Sequence, residues 1–478
     1  MKISENWLRT WVNPAIDSEK LSDQLTMLGL EVDELAPAAK PFTGVVVGEV
    51  LTVEQHPDAD RLRVTTVNIG SGELLQIVCG APNVRAGMKA PVATIGAVLP
   101  GDFKIKKGKL RGIESQGMLC GASEIDLEDK IDGLLELPAD APVGMNIREY
   151  LDLDDNVIDI SITPNRGDCF SIRGIAREIG VINQLPVTAP EIKEVVATIS
   201  DEKKVVVSTE GCPRYLGRVI KNVNTKAVTP VWMERALARS GIRQHSILVD
   251  ITNYVLMELG QPLHAFDGGK VQGAVHVRQA TEAEKLVLLN EQEVELNEKV
   301  MVIADDEKAL AIAGIMGGLS SAVSDATTEI FLESAFFAPL HIAGRARSFG
   351  LHTDASQRYE RGVDFELPLI AMHRASQLIA ELAGGEFGPI TVAENAALLP
   401  TRDAIELNQA QVDQLLGYSV DSAFITDALS RLGCEVTVKA EGEWSVVPPS
   451  HRYDMVIYQD LIEEVARIHG YDNIQISL

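Results

Sequence analysis

Four carboxylates gather near the end of the 478-residue sequence: Asp454, Asp460, Glu463 and Glu464. On a helix, Glu463 and Glu464 follow Asp460 at the i+3 and i+4 positions, so the three share a face. Carboxylates that converge without a basic neighbour repel unless a hard cation sits among them, and oxygen-only ligands suit Mg²⁺. The plainer reading is an acidic, solvated face, and the residues alone favour it. A second cluster has the opposite sign: Lys104, Lys106, Lys107, Lys109 and Arg111, with no acid inside the run. Clustered cations suit phosphates, because each neutralised phosphate releases a counterion. The plain alternative is a solvated loop. A third stretch, Asn165-Arg166-Gly167-Asp168, reads as a local pairing by Arg166, with Asp168 capping the helix that follows.

Elements must hold these residues in place. Ile3, Trp7 and Trp11 recur at helical spacing, as do Leu21, Leu25 and Leu28. Residues 1–38 therefore read as a helical N-terminal segment that Gly29 stops. From 39 to 148, β-rich runs at 45–53, 62–69, 74–78 and 90–95 are separated by Gly, Pro and Asn clusters. That pattern suits a small β-barrel of about five strands, such as an OB-fold. Residues 149–210 read as a linker with one helix, marked by Ile172, Ile175 and Ile179 and closed by Gly180. Residues 211–386 alternate strands and helices as an α+β domain, in which Thr229 caps and Pro230 opens a helix that Gly241 stops. A linker is expected over 388–400. Residues 401–476 hold two helical patterns, a β-like pair at 434–438 and 444–447, and a last helix from 457 to 469, an order compatible with a winged-helix-like domain. The fold class expected is multi-domain α+β.

Composition narrows the function classes. Lys and Arg total 43 against 69 Asp and Glu, a net charge of −26. Such a chain is a poor generic ligand for nucleic acid or an anionic membrane. A local basic site survives, because exposed charges are screened beyond about 8 Å. Cys79, Cys120, Cys169, Cys212 and Cys434 are scattered and form no C-x-x-C pair, which reads as reduced thiols in a cytosolic, cytoplasmic protein. No signal-peptide pattern opens the chain and no stretch approaches the roughly 20 apolar residues of a membrane span. There is no phosphate loop, dinucleotide fingerprint, H-E-x-x-H or G-x-S-x-G elbow. An ATP site is not expected on this chain.

Three stretches then carry a resemblance. His56-Pro57-Asp58-Ala59-Asp60-Arg61-Leu62, Ile77-Val78-Cys79-Gly80-Ala81-Pro82-Asn83-Val84 and Lys109-Leu110-Arg111-Gly112-Ile113-Glu114-Ser115-Gln116-Gly117 read first as turns around strands, with His56 capping one of them. Together they resemble the OB-fold tRNA-binding domain of several synthetase-associated proteins, over nearly all of 39–148. The resemblance implies that the barrel binds the tRNA backbone through the basic run. Further on stand Val249-Asp250-Ile251-Thr252-Asn253-Tyr254, Gly260-Gln261-Pro262-Leu263-His264-Ala265-Phe266-Asp267, Gly314-Ile315-Met316-Gly317-Gly318, Leu332-Glu333-Ser334 and His352-Thr353-Asp354-Ala355-Ser356-Gln357-Arg358-Tyr359-Glu360-Arg361-Gly362. With these the chain resembles, from end to end, the β-subunit family of bacterial phenylalanyl-tRNA synthetases.

That resemblance implies a partner α subunit in an α₂β₂ assembly, with ATP-dependent ligation of Phe to tRNA-Phe housed on α. It implies Mg²⁺ ligands at Asp454, Asp460, Glu463 and Glu464. It also implies catalytic-like and anticodon-binding domains that would follow Leu478. For 211–386 it implies proofreading, and physical chemistry agrees. A pocket that accepts Phe rejects Tyr by only about 10²-fold, because Tyr merely adds a hydroxyl. A second site must recognise that hydroxyl and hydrolyse the mischarged ester. Glu333 is the expected acceptor. His264, Thr252 and Asn253 are expected to orient the ester and a water, His264 as a positioning group. Gly317 and Gly318 allow close backbone approach, and Thr353 and Ala355 match positions lining the family's pocket.

Two other classes stay open at this point. A non-catalytic tRNA-binding protein with a borrowed OB domain would have no amino-acid pocket near His264 and Glu333. A free-standing deacylase acting in trans would hydrolyse mischarged tRNA without any α chain.

Overall fold

The computed structural model describes residues 1–127 and 132–474. The chain folds as mixed α+β in two units: Ala36–Val157, and Met1–Leu35 together with Ile158–Leu478. Among the described residues no helix is long and apolar enough to cross a membrane.

In Ala36–Val157 an antiparallel sheet runs in the order Gly117–Leu119, Lys89–Leu99, Thr43–Gln55, Arg63–Asn68, Leu74–Cys79, with Phe103–Lys104 added beside Lys89–Leu99. The long strand Thr43–Gln55 carries two register shifts, between Thr43 and Val45 and between Val50 and Thr52. Such bulges bend and twist a strand. The bent strand serves two apolar clusters, one holding Phe42, Val45 and Val47, the other Val50, Val67 and Ile77. The two ends of the sheet also meet. Gln116 N–H donates to the Gln76 carbonyl at 2.8 Å, and Val78 N–H to Ser115 Oγ at 3.1 Å.

The other unit starts differently from the helical segment expected over 1–38. Strands Lys2–Ser4 and Glu31–Pro37 flank helices Glu5–Trp11 and Ser18–Met27. Ser4 Oγ accepts from Trp7 N–H at 3.1 Å and sets the first helix start after Ile3. The N-terminal ammonium donates to the Ile160 carbonyl at 2.6 Å, drawing the first residues into a sheet with Asn156–Ser161. Helix Ile172–Asn183 is capped by Ser171, not Asp168, and it runs through Gly180 to a left-handed Gln184. Gly180 is needed inside the helix, because an added Cβ would stand 2.9 Å from the Leu185 carbonyl. The expected linker over 388–400 is instead largely strand, Glu386–Glu394, an edge paired to Arg214–Lys221. The Thr229 hydroxyl does not cap helix Val231–Arg239; it donates to Asp250 Oδ2 at 2.6 Å.

Two sheets dominate residues 205–394. A four-stranded antiparallel sheet runs Leu263–Asp267, Glu329–Phe336, Arg214–Lys221, Glu386–Glu394. A five-stranded sheet runs Val205–Val207, Val275–Gln279, Met301–Ala304, Ala309–Ile312, Met316–Gly317. Helices Ile247–Leu259 and Leu367–Leu382 pack on each other and on the first sheet. Arg374 grips Glu258 between them with bonds of 2.8 and 3.0 Å. Towards the C-terminus, strands Ile405–Asn408, Glu443–Val447 and Glu435–Ala440 form a small sheet with helices Gln409–Leu416, Ser422–Arg431 and Tyr458–His469. This region has its own core around Trp444, Val412 and Leu429.

Candidate functional site

Leu263–Asp267 lies antiparallel to Glu329–Phe336, with His264 opposite Glu333 and Phe266 opposite Phe331. Side chains two apart on a strand share a face, so these four stand together. On the far side of Glu329–Phe336, Gly217 is the partner of Glu333. A Cβ at Gly217 would sit 2.1 Å from the Phe331 ring, so the missing side chain makes room for that ring. The His264 ring meets Phe266 edge-on, with centroids 4.4 Å apart.

His264 and Glu333 open into a cavity of about 380 Å³. That is within the size range of small-molecule sites. Thr252 and Asn253 reach it from helix Ile247–Leu259, and Ala355 from helix Asp354–Arg361, whose N-cap is Thr353. Thr353 Oγ1 also donates to the Ile315 carbonyl at 2.9 Å, tying that cap to the glycine-rich loop. Gly317 lines the cavity, and its bareness serves His264: a Cβ there would stand 2.5 Å from Cε1 and 2.8 Å from Nε2 of the imidazole. Gly318 differs from the expectation. It does not line the cavity, and its space is taken by the Leu310 carbonyl, 2.5 Å from where a Cβ would be.

Burial moves the two ionisable groups in opposite directions. His264 is pushed down to about 4, because the buried ring loses the water that would stabilise its cation. Its Nε2 is buried and has no hydrogen-bond partner. Glu333 is pushed up to about 7 by burial, opposed by a hydrogen bond from Tyr215. Tyr215 Oη donates to Glu333 Oε2 at 2.7 Å. At neutral pH the site therefore holds a neutral imidazole and a carboxyl near half-ionisation.

Sequence reasoning passed over three residues of this site. Tyr359 lines the cavity and donates to the Ala335 carbonyl at 2.9 Å. Gln261 Nε2 contacts that carbonyl at 2.8 Å and the Tyr359 hydroxyl at 3.2 Å. Both stand inside the stretches that carried the resemblance. Tyr215 had no such signal; it is the one aromatic in strand Arg214–Lys221.

Comparison with known proteins bears on the whole chain. Residues 211–384 match the B3/4 domain, 45–146 the tRNA binding domain and 405–471 the tRNA synthetase B5 domain. The phenylalanine–tRNA ligase beta subunit of Acinetobacter baylyi is 80% identical over 478 residues, covering 100% of this chain and 60% of its own length. That of Psychrobacter arcticus is 59% identical over 481 residues, covering 99% of this chain and 60% of its own. Over its whole length the chain is similar to phenylalanine–tRNA ligase beta subunits. It spans about 60% of the length of these relatives. An N-terminal fragment of the phenylalanyl-tRNA synthetase beta-subunit from Pyrococcus horikoshii aligns over 98% of this chain and 99% of its own, at TM-score 0.40 and 12% identity.

The tRNA binding domain holds the basic run. Lys104, Lys106, Lys107, Lys109 and Arg111 are all exposed. Strands Gly108–Leu110 and Ile113–Ser115 form a hairpin whose two turn residues, Arg111 and Gly112, have φ of 45° and 86°. Two successive positive φ values make the tight turn that suits strand twist. The run is not free of acid in space, since Lys107 pairs with Glu114 at 2.7 Å. His56 is buried and accepts from Asp58 N–H at Nδ1, 3.0 Å. Its Nε2 then carries the proton and donates to the Leu110 carbonyl at 3.1 Å. His56 caps a turn and staples the basic hairpin.

In the B5 domain the four carboxylates do not gather as expected. Asp454 takes two bonds of 2.8 Å from Arg452. Glu464 is buried between Arg452, at 2.7 Å, and Arg467. Asp460 Oδ2 accepts the Val456 and Ile457 N–H groups at 2.8 Å each, ahead of helix Tyr458–His469. Glu463 faces solvent. The premise of converging acids without a basic neighbour is thus corrected, and the four do not fit an Mg²⁺ ion held jointly. Among the described residues, Asp168, Cys169 and Glu178 do bring metal-type ligands together. Arg166 Nη2 already contacts all three, at 3.0, 3.1 and 2.8 Å, so a guanidinium stands where a cation would. Arg467 also reaches Glu178, joining helix Ile172–Asn183 to helix Tyr458–His469.

Proposed function

We propose that this chain binds tRNA-Phe and removes tyrosine mischarged on it, in support of Phe ligation by an α subunit. The observation that carries the reading is the pairing of His264 with Glu333 across two strands at the wall of one cavity. Glu333 offers an acceptor for a phenol O–H. Phenylalanine has nothing to give it and would leave the carboxyl with Tyr215 as its one donor, which costs binding relative to tyrosine. His264, neutral at pH 7, lines the cavity and carries a buried Nε2 without a partner. Thr252, Asn253 and Thr353 add hydroxyl and amide groups around it. Water adds to the ester carbonyl, the acyl–oxygen bond breaks, and tyrosine and a free terminal ribose hydroxyl are released. His264 positions the reacting groups in this scheme.

The same reading takes Ala36–Val157 as an OB-type barrel that holds the tRNA backbone through Lys104, Lys106, Lys109 and Arg111. It takes residues 211–386 as the editing domain and 401–476 as a winged-helix-like domain. Its working form is an α₂β₂ heterotetramer in the cytoplasm. Magnesium then serves the ATP-dependent ligation on α, and Asp454 and Glu464 stay with Arg452 and Arg467.

Deacylation of Tyr-tRNA-Phe, with Phe-tRNA-Phe as the control and the α subunit added in a parallel series, tests this. His264→Ala and Glu333→Gln are expected to slow loss of tyrosine by at least tenfold in the presence of α. Equal rates for wild type and both variants in both series would remove the editing assignment. Full-rate hydrolysis by the chain alone would favour a deacylase acting in trans.

A further inference from the structure

Tyr215 lies outside the cavity wall, yet its hydroxyl reaches the carboxyl that forms that wall. It is fully buried and its Oη is 2.7 Å from Glu333 Oε2. Its strand cannot drift, because Arg214–Lys221 is paired along both edges, to Glu329–Phe336 and to Glu386–Glu394. Resting on the proofreading reading above, we infer that Tyr215 is a positioning residue for tyrosine selection: it holds Glu333 Oε2 so that Oε1 meets the incoming para-hydroxyl.

A carboxyl has two acceptor oxygens and turns easily about its last bond. With Oε2 engaged by Tyr215, Oε1 is the oxygen left for a donor in the cavity that Glu333 lines. Burial and the Tyr215 hydrogen bond set the ionisation of Glu333, and Asp354, which also lines the cavity, is paired with Arg358 at 3.2 Å. Burial raises the Cys212 thiol and the Tyr359 phenol and lowers His264. Tyr215 itself stays protonated, since burial and the neighbouring carboxylate hold its phenol well above the usual range. Its hydrogen bond is what opposes the upward push of burial on Glu333. The same contact therefore sets where the acceptor points and the pH at which it ionises. A purely space-filling role would do neither.

Tyr215→Phe keeps the ring and removes the donor. Binding of free L-tyrosine and free L-phenylalanine to the 478-residue chain is measured by calorimetry from pH 5.5 to 8.5, for wild type, Tyr215→Phe and Glu333→Gln. Wild type is expected to prefer tyrosine, with the preference growing as pH rises through about 7, where Glu333 ionises. Tyr215→Phe is expected to lose about tenfold of that preference, the scale of a hydrogen bond to a charged group. Its rise should move to higher pH, with phenylalanine binding unchanged. An unaltered preference and midpoint in Tyr215→Phe would overturn the positioning role and leave the editing site standing. Equal weakening of both amino acids would overturn it too, by reducing Tyr215 to packing. A wild type that shows no preference and matches Glu333→Gln would overturn the site reading, and this inference with it.

Discussion

His264 and Glu333 face each other across one strand pair, and the same burial suppresses the charge of both. The folded chain carries a penalty for that, and its pH dependence has a definite sign. Glu333 has its folded value raised above the ordinary 4.5, to about 7. Its stabilising contribution is complete below pH 4.5 and is lost as pH rises through 7. Glu333→Gln should therefore gain on wild type between pH 5.5 and pH 8, by about 2 kcal/mol. His264 is the reverse case: lowered from 6.5 to about 4, it gives up stability as pH falls from 6.5 towards 4. Urea unfolding of wild type and Glu333→Gln at the two pH values checks the first point. A constant difference between them would show that Glu333 is not desolvated.

Gly317→Ala tests the space that the imidazole occupies. The new Cβ would meet the ring at 2.5 Å, well inside contact distance. The ring must turn or the loop must shift. The expected result is a chain that melts within a few degrees of wild type, since overpacking costs about 1–3 kcal/mol, but deacylates Tyr-tRNA-Phe at least tenfold more slowly with α present. Full activity would mean that the orientation of His264 does not matter.

The basic hairpin makes a graded prediction. Lys106→Glu and Lys109→Glu should each weaken tRNA binding and lower the salt slope by about one unit per lost phosphate contact. Lys107→Glu should do less, because Lys107 is already paired with Glu114. Filter binding of tRNA across a salt series reads all three. Identical slopes in wild type and the Lys106 variant would take the hairpin out of the interface.

Magnesium should leave the melting temperature of the chain alone unchanged at millimolar concentration, because Asp454 and Glu464 are committed to Arg452 and Arg467. A rise in melting temperature that vanishes in the Asp460→Ala, Glu463→Ala double variant would reverse that reading.

Much of the fold is open to inspection in the sequence, and the gaps have physical causes. The strands at 43–55, 63–68, 74–79 and 89–99 are legible because β-rich runs bounded by turn residues are local signals. The run 386–394 is not, because an edge strand that buries only Phe387 and Gly388 and exposes Val392 shows no apolar alternation. Helical spacing places Glu464 beside Asp460 but says nothing of what lies opposite. Arg452 stands two residues before Asp454, and Arg467 one turn after Glu464, so part of the compensation is in view. Glu178, far away in sequence, is not. Tyr215 is the clearest case. Its value comes from a neighbouring strand 118 residues on, and no local pattern reports that.

The chain leaves for the tRNA-binding unit along Glu31–Pro37 and comes back along Asn156–Ser161, and both strands belong to one three-stranded sheet. Departure and return are thus side by side on the same ladder. Excision of that unit would leave two ends on neighbouring strands that a short bridge can rejoin, so the fold around His264 and Glu333 would not need redrawing.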